Sequence, residues 1–250
     1  MKVYMGGAKY TPGTYAKARP SAAEMADRYI REWDEKRIAS AKVPNQLFPT
    51  ICFSRKIGVG ALEVADILGE MIGYRVVDRQ ILEHIADEAK LAEKTVALFD
   101  ERYPGKLSEF MAMAFGEKAF IKSDYARHLF NAVYAIAWMG PTIFVGRGAH
   151  LFLPRDRVLA VRFVSSDAHR IQRLSGILEV DQKDVEHKLA EIDTEQRDFF
   201  KRMYGKKDAG LDEFDMGINL EYITEPEWAA RIVAQAFKLK FAEEVKVNLA

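Results

Sequence analysis

The chain has 250 residues, of which 49% are hydrophobic and 30% charged, with 37 basic groups against 37 acidic ones. A polypeptide of this length buries roughly 70–75% of its unfolded surface, so its core needs no disulfide or metal. The single cysteine, Cys52, excludes an internal disulfide framework and a cysteine-based zinc site. Zero formal charge removes the general attraction of a dedicated nucleic-acid binder, which argues against nucleic acid as a partner and makes any anion site a local one. No run of about 18 apolar residues is present, and MKVYMGGAKYTPG has no apolar stretch behind its basic residues. The expectation is a cytoplasmic protein without membrane contact.

Residues 1–46 read as an extension. The first 20 contain Lys2, Lys9, Lys17 and Arg19, no acidic residue, and several Gly and Pro, which predicts a loosely ordered arm, with a polyanion-binding tail as the alternative. Ser21 stands three residues before Glu24, the spacing of a capping box. The helix it starts places Ala26, Tyr29, Ile30 and Trp33 on one stripe, to be buried on the main body or on a partner chain. The second option allows a homo-oligomer through this helix. Residues 42–46 read as a linker.

From residue 47 strand and helix signals alternate. A β-rich run at 47–53 breaks at Ser54-Arg55-Lys56-Ile57-Gly58-Val59-Gly60, and helical spacing follows at Val64, Ala65, Leu68, Met71 and Ile72 up to Gly73. A strand at 74–77 ends at Asp78. Three helical stretches, 79–90, 93–103 and 107–139, form an insertion of about 79–140, ended by Gly140-Pro141. A strand at 142–145 enters Gly146-Arg147-Gly148, and one at 158–164 leads into Ser165-Ser166-Asp167. Residues 168–204 read as two charged helices broken near Gly176, 216–219 as a last strand, and Thr224 as the cap of a final helix with Pro226 near its start. This alternation predicts an α/β fold, a three-layer parallel sheet with helices on both faces. Such sheets place sites at the carboxyl ends of their strands, here 54–60, 78–79, 146–148 and 165–170.

Glycines at 58 and 60 before a helix let several amides point at one anion, with the helix dipole behind them. Against the Walker A pattern GxxxxGK[ST], Gly60 fits the second glycine. Arg55 replaces the first glycine, Ala61 the lysine and Leu62 the hydroxyl residue. A plain tight turn between strand and helix explains the two glycines equally well, and Arg55 and Lys56 favour the anion reading. The five histidines show no paired metal spacing, no GxSxG occurs, and Cys52 reads as core packing. Phe110, Met111, Met113, Phe115, Phe120, Phe130 and Trp138 read first as helix packing and second as a wall of a pocket in the insertion.

The segment SRKIGVGALEVADILGEMIGYRVVDRQIL resembles the opening of the cytidylate kinase-like family, whose members carry a Ser-Arg-containing glycine loop. FVGRGAHLFL, VLAVRFVSSDAHRIQRL, DTEQRDFFKRMYG and DEFDMGINL are similar, in that order, to its third-strand loop, fourth strand and lid, lid helix and last strand. The resemblance implies a P-loop-kinase-like domain over 47–250, with a lid of about 166–212. It also implies ATP and Mg2+ as cofactors and phosphoryl transfer to a nucleoside monophosphate such as CMP. It would put Ser54, Arg55, Lys56, Gly58 and Gly60 on the donor phosphates, and Asp78 and Arg79 on the acceptor side. Arg147 would face the acceptor phosphate, Arg170 and Arg173 would close from the lid, and Asp193 with Arg197 would form an acidic–basic pair in the lid helix. Ala61-Leu62 stands where the family has Gly-Arg, and Glu63 follows in the first helical turn with no neighbouring arginine to offset it. The alternative is therefore a non-catalytic nucleotide-binding or protein-interaction module of the same fold.

Overall fold

The computed structural model describes residues 3–5, 8–10, 15, 19–39, 46–115, 124–206 and 209–244. Five parallel strands form the central sheet: β3 (Thr50–Arg55), β4 (Arg75–Asp78), β5 (Thr142–Val145), β6 (Val158–Val164) and β7 (Met216–Asn219). Their spatial order is β4-β5-β3-β6-β7. Strand β3 is central, paired in register with β5 (Ile51 opposite Ile143) and with β6 (Ile51 opposite Leu159). Because the chain leaves β3 first towards β4 and β5 and later towards β6 and β7, the carboxyl end of β3 is the switch point where such sheets open a crevice.

Alternation along the strands assigns the two faces. Ile51, Phe53, Ile143, Val145, Leu159, Val161 and Phe163 pack with the apolar stripes of α2 (Ala61–Ile72) and α9 (Pro226–Lys240). Cys52, Val77, Phe144, Val158 and Ala160 face the other way, onto α1 (Ala22–Ala39), α3 (Arg79–Asp87) and α6 (Asp124–Met139). Two α-layers thus enclose one parallel sheet, as the alternation predicts. Cys52 is core packing.

Helix α1 begins with the expected capping box: the Ser21 and Glu24 backbone amides each donate to the other residue's side chain, at 2.8 and 3.3 Å. Its Ala26, Tyr29, Ile30 and Trp33 stripe is buried in the same core as α3 and α6, and the Tyr29 hydroxyl donates to the Val76 carbonyl at 3.0 Å. The stripe is therefore covered within the chain. The arm before it differs from expectation. It contains a small antiparallel hairpin of β1 (Val3–Met5) and β2 (Ala8–Tyr10), and Met5, Tyr15 and Arg19 are all held by the main body. Lys2, Lys17 and the linker positions 42–45 lie outside the described residues.

Among the described residues the insertion comprises α3, α4 (Ala89–Arg102), α5 (Lys106–Phe115) and α6; residues 116–123, within the expected stretch of 107–139, lie outside those described. Phe130 and Trp138 are core residues, whereas the side chains of Phe110, Met111, Met113, Phe115 and Phe120 lie outside those described. The segment expected to form the lid consists of α7 (Asp167–Leu178) and α8 (Gln182–Tyr204). Their break falls at 179–181 rather than at Gly176. Glycine within a helix costs only about 1 kcal/mol, while Asp181 supplies a cap to the Lys183 amide at 2.8 Å. The last helix is capped at Glu225, one residue after Thr224, because Pro226 takes the first helical position. Among the described residues no helix is long and apolar enough to cross a membrane.

Candidate functional site

The β3 strand ends on Arg55, and the loop to α2 contains two residues with left-handed backbone, Gly58 (φ 88°) and Gly60 (φ 99°). Both positions are also crowded. A Cβ on Gly58 would lie 3.0 Å from Leu174 Cδ1, and one on Gly60 would lie 3.2 Å from Arg173 Nε. Only glycine meets both demands, of φ and of space. Gly60 is the N-cap of α2 and offers no side chain to it, so the first-turn amides of Ala61 and Leu62 have no intrahelical acceptor. Free amides at the positive end of a helix dipole are suited to a phosphate or other anion.

Arg173 stands over this cradle. Its NH2 reaches Glu63 Oε2 at 3.0 Å, and its NH1 lies 3.5 Å from the Gly58 carbonyl. Glu63, which has no arginine beside it in sequence, thus receives one from the lid, 110 residues away. A cleft of about 520 Å³ opens beside them. Val59, Gly60, Glu63 and Arg173 line one side of it, and Leu220, Ile223, Thr224 and Pro226 of the β7–α9 connection line the other.

Arg170 is placed differently. The side chain is 1% exposed, and its nitrogens are directed at protein acceptors: Nε to the Ile57 carbonyl at 2.7 Å, NH1 to Asp167 and Asp193 at 2.7 and 2.8 Å, and NH2 to Asp193 at 2.7 Å. Lys56 lies 3.5 Å from Asp167 and 3.7 Å from Asp193. Desolvation works against the Arg170 charge, but the two carboxylates outweigh it and hold the guanidinium above its usual value. These groups clamp α7 and α8 to the glycine loop. Gln196 of α8 adds a bond to the Arg55 carbonyl at 3.0 Å. The expected Asp193–Arg197 pairing gives way to Asp193–Arg170. Arg197 bonds Thr194 Oγ1 at 2.9 Å and lines a smaller hollow, about 140 Å³, with Lys56, Arg162 and Gln196.

A second arginine group lies on the β4–β5 side. Arg147 adopts φ 55° between two left-handed glycines, an uncommon backbone for a non-glycine residue. This turns its guanidinium beneath the lid, 3.9 Å from the centre of the Phe199 ring, while its carbonyl accepts from the Tyr204 hydroxyl. Arg147 pairs with Glu83, which also accepts from Arg79 Nε at 2.9 Å. Burial, then the Arg79 charge and, more weakly, that of Arg55, pull the Arg147 guanidinium down to about 8, with Tyr204 acting in the opposite sense. Its buried Nε has no hydrogen-bond partner among the described residues. A guanidinium stays protonated in proteins, and Glu83 is the anion that pairs with it here. Arg55 completes the group, its Cζ 3.7 Å from where a Gly146 Cβ would sit.

The remaining expected site residues are held by the protein itself. Asp78 Oδ1 caps α3 through the Gln80 and Ile81 amides at 2.9 and 3.0 Å, and its Oδ2 takes Arg19 at 2.6 Å. Ser54 Oγ accepts from Arg162 NH1 at 2.7 Å. Sequence reasoning missed Arg162, although it is the one charged residue in the strand VLAVRFV. It also missed Glu83 and the β7–α9 lining, which carry no local signal.

The cradle fits a polyphosphate: two glycines, free amides and adjacent cations. For magnesium, which one or two side chains and the substrate phosphates hold between them, the loop offers no hydroxyl at Leu62, which is buried, and Glu63 as the nearest carboxylate, paired with Arg173.

The architecture is thus a five-stranded parallel α/β sheet with a glycine loop at its switch point, a helical insertion after β4 and the α7–α8 pair after β6. The family model for the cytidylate kinase-like family matches residues 50–222, and the chain belongs to that family. No curated protein matches it. Among solved structures, an uncharacterized protein from Eubacterium ventriosum ATCC 27560 is similar at 18% identity and TM-score 0.57, over 77% of this chain and 99% of that one. Shikimate kinase from Bacteroides thetaiotaomicron is similar at 12% identity and TM-score 0.41, over 76% and 98%. Shikimate kinase from Acinetobacter baumannii, in complex with shikimate, is similar at 16% and 0.38, over 80% and 96%.

Proposed function

We propose that the protein transfers a phosphoryl group from ATP to a nucleoside monophosphate, with CMP as the first acceptor to try. The observation that carries this reading is the pairing of two cationic stations across one switch point. The uncapped Gly58–Gly60 cradle with Arg173 stands on one side, and Arg79 and Arg147 with Arg55 stand on the other. Phosphoryl transfer asks little covalent chemistry of a protein; it asks for alignment, charge stabilisation and exclusion of water. On this reading the cradle amides and Arg173 hold the donor phosphates, and the 520 Å³ cleft takes the donor nucleoside. Arg79 and Arg147 exchange Glu83 for the acceptor phosphate. Arg170, Asp193 and Lys56 position the lid, and Asp78 positions Arg79 by capping its helix.

A second reading, nucleotide binding without turnover, is favoured by Ala61 and Leu62. Both are buried, and neither can supply the bridging cation or the hydroxyl of a standard phosphate loop. Coupled measurement of ADP release with each nucleoside monophosphate separates the two. Turnover dependent on one acceptor supports the transferase. Saturable ATP binding with no turnover on any acceptor supports the binding module.

A further inference from the structure

The family match begins at residue 50, so the amino-terminal extension lies outside it. Yet the described parts of that extension reach both sides of the cleft. Met5, 1% exposed, sits in a small apolar cluster of its own with Ile57 of the glycine loop, Leu174 of α7, and Val185, Leu189 and Ile192 of α8. This cluster is separate from the two cores that flank the sheet. Within it, Met5 shares one core with a loop residue and with residues of both α7 and α8, and its own strand β1 contacts α8.

Further along, Tyr15 is buried against the α2 layer and its hydroxyl donates to Asp66 of α2. Arg19 bridges two carboxylates, with Nε 3.0 Å from Asp66 and NH1 2.6 Å from Asp78. Asp78 caps α3, whose first residue is Arg79. One segment therefore ties lid to loop at Met5, and the glycine-loop helix to the acceptor-side helix at Arg19.

We infer that the extension is a strap that sets the geometry of the cleft. Met5 keeps the lid seated on the glycine loop with or without nucleotide, and Arg19 acts as a positioning residue for Arg79 through Asp78. The strap works in cis and takes no ligand, so it holds whichever function the site has.

The test is amide hydrogen exchange on the full-length protein without nucleotide. Met5→Ala is expected to speed exchange in residues 167–204 about tenfold while β5 and α6 keep their rates, because opening of a local unit is read separately from global unfolding. Met5→Leu, which refills the gap, should return lid exchange to the wild-type rate. Arg19→Ala should speed exchange in residues 79–87 and leave the lid alone. Unchanged lid exchange in Met5→Ala, or an equal rise across β5 and α6, overturns the inference. So does an Arg19→Ala protein with wild-type exchange at α3. Because no nucleotide is present, failure of the strap and failure of the kinase reading are seen separately.

Discussion

Asp193→Ala is expected to cost about 3–5 kcal/mol of stability, the range for removing one partner of a buried ion pair. The size follows from Arg170, which is 1% exposed and would keep only Asp167 and the Ile57 carbonyl as acceptors. Replacing both partners by apolar residues, Asp193→Leu with Arg170→Met, should recover much of that loss, since the larger part of it is a buried charge left under-paired, with Asp167 as its one carboxylate. Chemical denaturation of the single and double variants checks this. A single-variant loss below about 1 kcal/mol would class the clamp with surface ion pairs. The clamp also carries a pH dependence. Arg170 holds Asp167 below the ordinary carboxylate range. Its contribution is thus complete above the unfolded carboxylate value and is lost as pH falls through the lowered folded value.

Arg147→Ala is expected to lower turnover about 10²–10³-fold, as loss of a preorganised charge donor does at a dry site. Three features concentrate the effect on this residue. Its backbone is held in a strained turn, its guanidinium is buried under Phe199, and its charge is opposed by Arg79 and Arg55. On the proposed function, an acceptor phosphate would relieve that repulsion. Arg147→Lys should recover only a small part of the rate, because a point charge does not replace the planar fork. An Arg147→Ala protein that turns over within about threefold of wild type would remove Arg147 from the proposed reaction. Steady-state rates at saturating ATP, with melting temperatures of each variant alongside, decide it.

Much of the fold was legible because its signals are local. The strand runs, the helical stripe of α1, the Ser21–Glu24 capping box and the glycine loop depend on neighbours a few residues apart. The sheet order carries no such local signal: β3 lies between β5 and β6, and its successor in the chain, β4, is at the edge. The site was legible only where backbone geometry marks it, at Gly58, Gly60 and Arg147. Its charge pairing was not legible. The i,i+4 spacing suggested Asp193 with Arg197, an interaction of a few tenths of a kcal/mol. The fold instead offers Asp193 a buried guanidinium 23 residues away, with three hydrogen bonds reaching the two carboxylates. Glu63 with Arg173 and Arg19 with Asp66 and Asp78 are likewise products of packing between distant elements. The arm reads as loosely ordered because its composition is basic and rich in Gly and Pro. Among its described residues, Met5, Tyr15 and Arg19 are held by partners far away in sequence, which no local signal marks.

Titration calorimetry of ATP into the full-length protein tests the cradle most directly. Saturable binding with a submillimolar Kd is expected, weakened about tenfold or more, 1.4 kcal/mol, by Arg173→Ala. No heat of binding at millimolar ATP, or an Arg173→Ala protein that binds as the wild type does, would contradict it.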